Sequence, residues 1–292
     1  MNTRDLKYLV ALADLRHFGK AALACFVSQP ALSMQIKKLE ESLGVQLLER
    51  TNKSVMLTAI GSNIAERARF ILSQIEEMRD TAKLAKDPYT GELKLGIIPT
   101  LAPYLLPHII PVLSKKFPKL SFYLVEEQTH LLVKKLKEGN LDAAILALPV
   151  TEADLMSALL FEEDFLLAVP NNHPFANKKI IKSTDLANKN LLLLEDGHCM
   201  REQALAFCHR IQATETQNFR ATSLETLRHM TAAGVGITLM PKLACRTDDG
   251  ISYLSFGKPK PTRSIGLCWR ASTAKKILLE DLASQIKKIK IL

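Results

Sequence analysis

Val27-Ser28-Gln29-Pro30-Ala31-Leu32-Ser33-Met34-Gln35-Ile36-Lys37 is the stretch from which the fold reads outward. Ser28 is a preferred helix N-cap, and Pro30 falls in the first turn of the helix that follows, where a missing N–H costs nothing. Leu32, Ile36, Leu39 and Leu43 then recur at 4, 3, 4 spacing as one inward face, and Gly44 is the stop signal. Upstream, Ala21 to Cys25 form a short helix of small residues, and Leu6, Leu9, Val10 and Ala13 mark a first helix with Thr3 available as its cap. Two short helices around a tight turn, the second with a polar outward face, make a helix-turn-helix whose recognition helix enters the major groove of DNA. Gln29 can pair with adenine, Ser33 can reach a base edge or a phosphate, and Lys37 can reach guanine or backbone; Pro30 and Met34 lie among them. Residues 46–50 and 55–58 flank Thr51-Asn52-Lys53-Ser54 as a β-hairpin wing that brings Arg50 and Lys53 toward phosphates. The alternative is a three-helix bundle with a solvated polar face.

Thr58 caps a long segment without Pro or Gly from Ser62 to Asp87. Ile64, Ala68, Ile71, Ile75, Met78, Ala82 and Ala85 form an a/d seam, which calls for a partner helix and hence a dimer through residues 59–87. A dimer carries two recognition helices, so its site on double-stranded DNA is pseudo-palindromic. Asp87-Pro88-Tyr89-Thr90-Gly91 breaks the helix.

The 292 residues exceed one compact core, and the composition, 47% hydrophobic and 24% charged, excludes collagen-like and largely disordered classes. The longest apolar run, Ala143 to Val150, is far short of the roughly 20 residues of a membrane helix. Met1 to Lys7 lacks the apolar region expected of a secretory signal and five scattered cysteines fit a reducing environment, so a cytoplasmic chain is expected, with Cys25, Cys245 and Cys268 read as small buried hydrophobes. The net charge of +9 suggests a polyanionic partner, yet residues 1–58 hold only eight basic against five acidic side chains, so total charge does not locate the contact.

Beyond Glu92, strand and helix patterns alternate: strands at Leu93–Ile97, Leu120–Leu124 and Leu141–Leu148, helices at Pro103–Lys116 and Thr129–Glu138. A second run starts at Phe165–Val169 and continues with a helix near Ser183–Ala187, a strand at Leu191–Leu194, helices from about Cys199 and over Ser223–Ala233, and a strand at Val235–Met240. From Ala274 an amphipathic helix with a basic edge ends the chain. This predicts βαβ units on a mostly parallel sheet, in two lobes with a ligand cleft between them. Pro99-Thr100 and Gln128-Thr129 would face that cleft, unless each Thr is a helix cap.

Ala21-Ala22, Val27 to Ser33, Leu47-Leu48-Glu49-Arg50 and Leu57-Thr58 resemble LysR-type transcriptional regulators. Glu195-Asp196-Gly197-His198-Cys199 through Phe207-Cys208, with Pro99-Thr100, Gln128-Thr129-His130 and Ala221 to Leu227, is similar to the hydrogen-peroxide-sensing members of that family. The resemblance covers nearly the whole chain. It implies an α/β protein with a winged helix-turn-helix (1–58), a linker helix (59–87) and a two-lobed, periplasmic-binding-protein-like sensor (88–292), lobe I being about 88–163 with 268–292 and lobe II about 164–267. It also implies oxidation of Cys199 by hydrogen peroxide, resolution by Cys208 to a disulfide, and a peroxide site supported by Thr100, Thr129, His198 and Arg270. Implied partners are a second dimer in a tetramer, RNA polymerase, and a thiol reductant such as glutaredoxin or thioredoxin; no cofactor, metal or enzymatic turnover is implied.

The residues agree with that chemistry. Cys199 begins a helix beside His198 and Arg201, a setting that favours a reactive thiolate. If Cys199 to Cys208 is helical, the sulfurs stand about 13.5 Å apart along the axis, whereas a disulfide needs Cα atoms within about 7 Å; oxidation must unwind the segment. Four other readings stay open: an organic effector in the cleft with incidental cysteines, two buried structural thiols, a thiol peroxidase, and a zinc site from His198, Cys199, Cys208 and His209.

Overall fold

The computed structural model describes residues 1–50, 55–84, 87–211 and 213–290. The chain divides into two compact units, Met1–Lys86 with Lys137–Asn140, and Asp87–Leu136 with Leu141–Leu292.

The first unit contains α1 (Thr3–Leu15), α2 (Phe18–Ala24), α3 (Gln29–Leu43), β1 (Leu48–Arg50), β2 (Val55–Leu57) and α4 (Ala59–Leu84). Asn2, not Thr3, caps α1: its side chain accepts from the N–H groups of Arg4 and Asp5 while Asp5 accepts from the Asn2 N–H. This reciprocal capping box moves the helix start one residue earlier than the apolar spacing indicates. Ser28 caps α3 with Pro30 in its first turn, and Gly44 ends it in the left-handed conformation at φ 70°. Leu32, Ile36 and Leu39 of α3 are buried against Leu9 and Leu12 of α1 and Ala21 of α2, so the 4, 3, 4 face closes a three-helix core. The antiparallel pair β1 and β2 forms the wing. Thr58 caps α4 by accepting from the Gly61 N–H at 2.9 Å. Of the a/d seam, Ala68 is buried, as is its neighbour Ala65, whereas Ile71 and Met78 are exposed.

The second unit opens with β3 (Gly91–Ile97), α5 (Ala102–Lys116), β4 (Leu120–Glu126), α6 (Thr129–Lys137) and β5 (Ala143–Leu148). These are the βαβ units expected from the alternating pattern, and β4, β3 and β5 are parallel. Next comes β6 (Leu155–Pro170), then β7 (Ile180–Ile181), β8 (Asn190–Leu194), α7 (Cys199–Ile211), β9 (Thr214–Ala221), α8 (Leu224–Ala232), β10 (Thr238–Pro241), β11 (Ile251–Phe256), β12 (Thr262–Arg270) and α9 (Lys276–Lys288). The large sheet runs β4-β3-β5-β12-β6-β11-β7, with β10 also on β6, while β8 and β9 pair separately and in parallel.

Two departures from the sequence expectation matter. Phe165–Val169 opens the second lobe not as a separate strand but as the end of β6, a single strand that leaves lobe I and enters lobe II. The large sheet is mixed, because β12 runs antiparallel to both β5 and β6. Each lobe has its own core: Leu95, Ile97, Leu105, Ile145, Leu267 and Leu279 in lobe I, which β12 re-enters by Ile265, a little before the expected boundary at 268, and Leu167, Leu192, Phe207, Leu227, Leu239 and Met240 in lobe II. The C-terminal helix α9 therefore returns to lobe I, burying Leu278, Leu282 and Ile286 there. Among the described residues no helix is long and apolar enough to cross a membrane.

Candidate redox centre and DNA-reading helix

The loop after β8 carries Glu195-Asp196-Gly197-His198 into α7, whose first residue is Cys199. Gly197 adopts φ +94°, a backbone conformation that favours glycine, and a Cβ there would lie 2.4 Å from Gln128 Oε1 and displace that side-chain amide of lobe I. His198 is buried and hydrogen-bonded to the backbone of Thr222. Burial holds its imidazole below the ordinary histidine value, opposed in part by Glu195 and the Thr222 bond, and favours the neutral ring. Cys199 is half-buried, and although α7 belongs to lobe II, its side chain packs against the core of lobe I.

Arg201 does not face the thiol. Its guanidinium donates to both carboxylate oxygens of Glu215 at 2.6 and 2.9 Å, to Asp196 Oδ1 at 2.8 Å and to the Leu194 carbonyl at 3.0 Å. Its charge is neutralised inside lobe II by a strand, β9, that the sequence pattern does not reveal. Cys208 sits in the lobe II core, where burial pushes its thiol up to about 11. Both cysteines are free. With α7 helical from Cys199 to Ile211, they are nine residues and about 13.5 Å of helix axis apart.

The residues expected to support the site have different surroundings. Thr100 is buried, and its hydroxyl accepts from Arg263 Nη1 at 3.1 Å while its carbonyl accepts from Nη2 at 3.3 Å. Arg263 is in turn held by the fully buried Glu163, which also accepts from the Leu243 N–H. Arg270 is engaged elsewhere, since its Nη1 donates to the carbonyls of Leu136 and Leu141 at 2.5 and 2.6 Å, around the C-terminal end of α6. Thr129 begins α6, so Arg270 and Thr129 mark opposite ends of that helix. The arginine that meets Thr100 is Arg263, placed there because it pairs in register with Glu163 across β12 and β6. The Thr129 hydroxyl oxygen is buried with no hydrogen-bond partner among the described residues.

A cleft of about 410 Å³ separates the lobes, with Pro99, Tyr104 and Gln128 on one side and Glu195, His198, Thr222 and Glu225 on the other. Thr100 and Thr129 stand next in sequence to its lining rather than in it. The Tyr104 hydroxyl bridges the cleft to Glu225 Oε1 at 2.8 Å. Tyr104, a lobe I residue, is buried in the core of lobe II.

In the first unit, Gln29, Pro30, Met34 and Lys37 are exposed on α3 and Ser33 is half-buried beside them. Lys37 Nζ is 3.9 Å from Glu41 Oε1. Arg50 ends β1, and Lys53 lies outside the described residues.

A model of the lysR-family bacterial regulatory helix-turn-helix protein matches residues 3–62, and one of the LysR substrate binding domain matches residues 86–288. The chain belongs to the LysR family. Within it, the chain is 50% identical to the DNA-binding transcriptional dual regulator OxyR of Escherichia coli K12, over 98% of this chain and 95% of that protein. A full-length OxyR variant from Pseudomonas aeruginosa superposes with a TM-score of 0.80 at 40% identity, covering 100% of this chain and 99% of that one. The oxidised form of OxyR matches 69% of this chain and 96% of its own at 50% identity, with a TM-score of 0.64.

Proposed function

We propose that this protein is a hydrogen-peroxide-responsive, DNA-binding transcription regulator whose switch is the Cys199–Cys208 pair. The observation that carries the reading is the position of Cys199: it opens a lobe II helix yet packs on the lobe I core, nine residues from a second thiol buried in lobe II. The Cys199 thiolate attacks one peroxide oxygen; the O–O bond breaks, hydroxide leaves and a sulfenic acid forms. Cys208 then attacks that sulfur as thiolate, displacing hydroxide, so that one peroxide and two thiols become a disulfide and two waters. Bond formation requires α7 to unwind, and unwinding withdraws Cys199 from lobe I.

The peroxide site in this reading comprises Thr129, whose buried hydroxyl lacks a partner among the described residues, His198, and Thr100 backed by Arg263. Arg270 instead secures the end of α6. Gln29, Pro30, Ser33, Met34 and Lys37 meet the major groove, and Arg50 and Lys53 the flanking phosphates. The exposed Ile71 and Met78 support pairing of two α4 helices, hence a dimer on a pseudo-palindromic promoter site and, by pairing of dimers, a tetramer. The three functional parts are then residues 1–58, 59–87 and 88–292. The proposed setting is the cytoplasm, with RNA polymerase as the target of activation and a glutaredoxin- or thioredoxin-type reductant as the reset. Peroxide is consumed stoichiometrically, as a signal rather than a substrate.

The test is non-reducing peptide mapping before and after stoichiometric peroxide, with DNA footprinting on the same samples. We expect a Cys199–Cys208 peptide and a changed footprint, and for Cys199→Ser an unchanged footprint with DNA binding intact. A Cys199→Ser protein that still responds to peroxide refutes the switch. The 410 Å³ cleft supports a second reading, an organic effector with incidental cysteines; that reading predicts no crosslinked peptide.

A further inference from the structure

The turn between α2 and α3 contains a residue that folding does not explain. The Phe26 N–H donates to the Leu23 carbonyl at 3.1 Å and the Val27 N–H to the Ala22 carbonyl at 3.0 Å, which closes α2 as a Schellman motif. The residue after the cap must then be left-handed, and Phe26 is, at φ 56°. Glycine suits this position; a bulky aromatic residue is disfavoured there. Nor does packing compensate, because Phe26 is 95% exposed and its neighbour Leu23 is 78% exposed.

We propose that Leu23 and Phe26 form an apolar edge that contacts DNA beside the recognition helix, seated on the C–H surface offered by thymine methyls or deoxyribose. This rests on the DNA-binding reading above. Gly19 lies one helical turn before Leu23 on α2, and a Cβ built on it would stand 3.7 Å from Gln29 Oε1, so this side of α2 adjoins the start of α3. The segment from Leu15 to Lys38 contains Arg16, Lys20, Lys37 and Lys38 and no carboxylate. That charge fits a polyanion better than an apolar protein surface. Phosphates draw the duplex onto this surface, and the two apolar side chains contribute contacts that carry no charge; a phenyl ring on a thymine methyl is an established mode of base reading.

The experiment uses the full-length protein and the tightest-binding 40-bp duplex that it selects from a random library. Dissociation constants are measured over a salt series for wild type, Phe26→Gly, Phe26→Asn and Leu23→Ala, together with thermal unfolding. We expect Phe26→Gly and Phe26→Asn to bind at least tenfold more weakly with an unchanged salt slope, and to unfold at the same or a higher temperature, since both substituents tolerate the left-handed backbone. Leu23→Ala should weaken binding severalfold. Thymine-to-deoxyuridine replacement along the duplex separates the two surfaces. A position that weakens wild type and leaves Phe26→Gly unaffected identifies the methyl, and a uniform profile identifies deoxyribose. Binding by both Phe26 variants within twofold of wild type overturns the proposal and assigns the patch to a protein partner. A loss accompanied by a shallower salt slope or a lower unfolding temperature overturns it too. If wild type selects no duplex, the DNA-binding reading itself fails, a result distinguishable from failure of the Phe26 variants alone.

Discussion

The two ends of α7 carry the same side chain in opposite settings. Cys199 is half-buried at the start of a lobe II helix, in contact with the core of lobe I. Cys208 is sealed in lobe II beside Phe207, which packs edge-on against Phe256 with ring centres 5.3 Å apart. One end is placed to meet a solute and the other is kept from it. In the switch proposed above, detection is separated from commitment, because the first oxidation requires access and the second requires the helix to come apart.

The largest expected effect removes one end altogether. With Cys208→Ser, peroxide should still convert Cys199 to a sulfenic acid that dimedone traps, while the disulfide and the footprint change are lost completely. A footprint change of wild-type size in this variant would break the proposed division of labour.

Next comes the anchor between the ends. Arg201 pins the first turn of α7 to Glu215, and Arg201→Met leaves that carboxylate without its bidentate partner. Removing one member of a buried pair costs about 3 kcal/mol; Glu215 keeps partial solvent access and Arg220 at 3.6 Å, so about 2 kcal/mol is the better expectation. That corresponds to a fall in Tm of roughly 4–8 °C for a unit of this size. Disulfide formation should accelerate up to about tenfold, as a helix already loosened opens more readily. Quenched-flow alkylation gives the rate, and a rate equal to wild type would show that the first turn is not the barrier.

A smaller effect is readable in pH. Because burial raises the Cys208 thiol from an ordinary value of 9.0 to about 11, its contribution to stability is fully present below pH 9 and is lost as pH rises through 11. The reduced wild-type protein should therefore lose more stability than Cys208→Ala between those values in urea titrations at constant salt. Parallel curves would mean that Cys208 is more solvated than its packing indicates. The smallest effect is expected for Tyr104→Phe, which removes the hydroxyl across the cleft but leaves Glu225 on Arg228 and Arg246. One hydrogen bond of about 1 kcal/mol should change the disulfide rate no more than severalfold, in the direction of faster opening.

What is legible in the sequence is what local chemistry determines. Ser28, Pro30 and Gly44 bound α3 by caps and backbone preference, the alternating runs at Leu93 and Leu120 announce β3 and β4, and the continuous apolar run after Leu141 announces β5. The direction of Arg201 is not legible, because its partner Glu215 lies on β9, whose Thr-Glu-Thr-Gln-Asn-Phe-Arg-Ala has no apolar alternation to betray a strand. The choice between Arg263 and Arg270 depends on register: β12 pairs Arg263 with Glu163 and Arg270 with Leu155, and only the first end lies at Thr100. Phe26 is hidden for a related reason, since Val27 to Pro30 signal a break without revealing which residue must turn left-handed.

The passage of β6 from one lobe into the other as a single 16-residue strand bears on how such sensors can be recombined. A graft that moves the thiol helix with its lobe into another regulator has no single hinge at which to be spliced. It must cut β6 and the adjoining β12 together and match the pairing register of both in the recipient. Chimeras joined at one point would inherit a broken sheet, so exchange of sensing lobes between relatives should succeed only as a two-junction insertion.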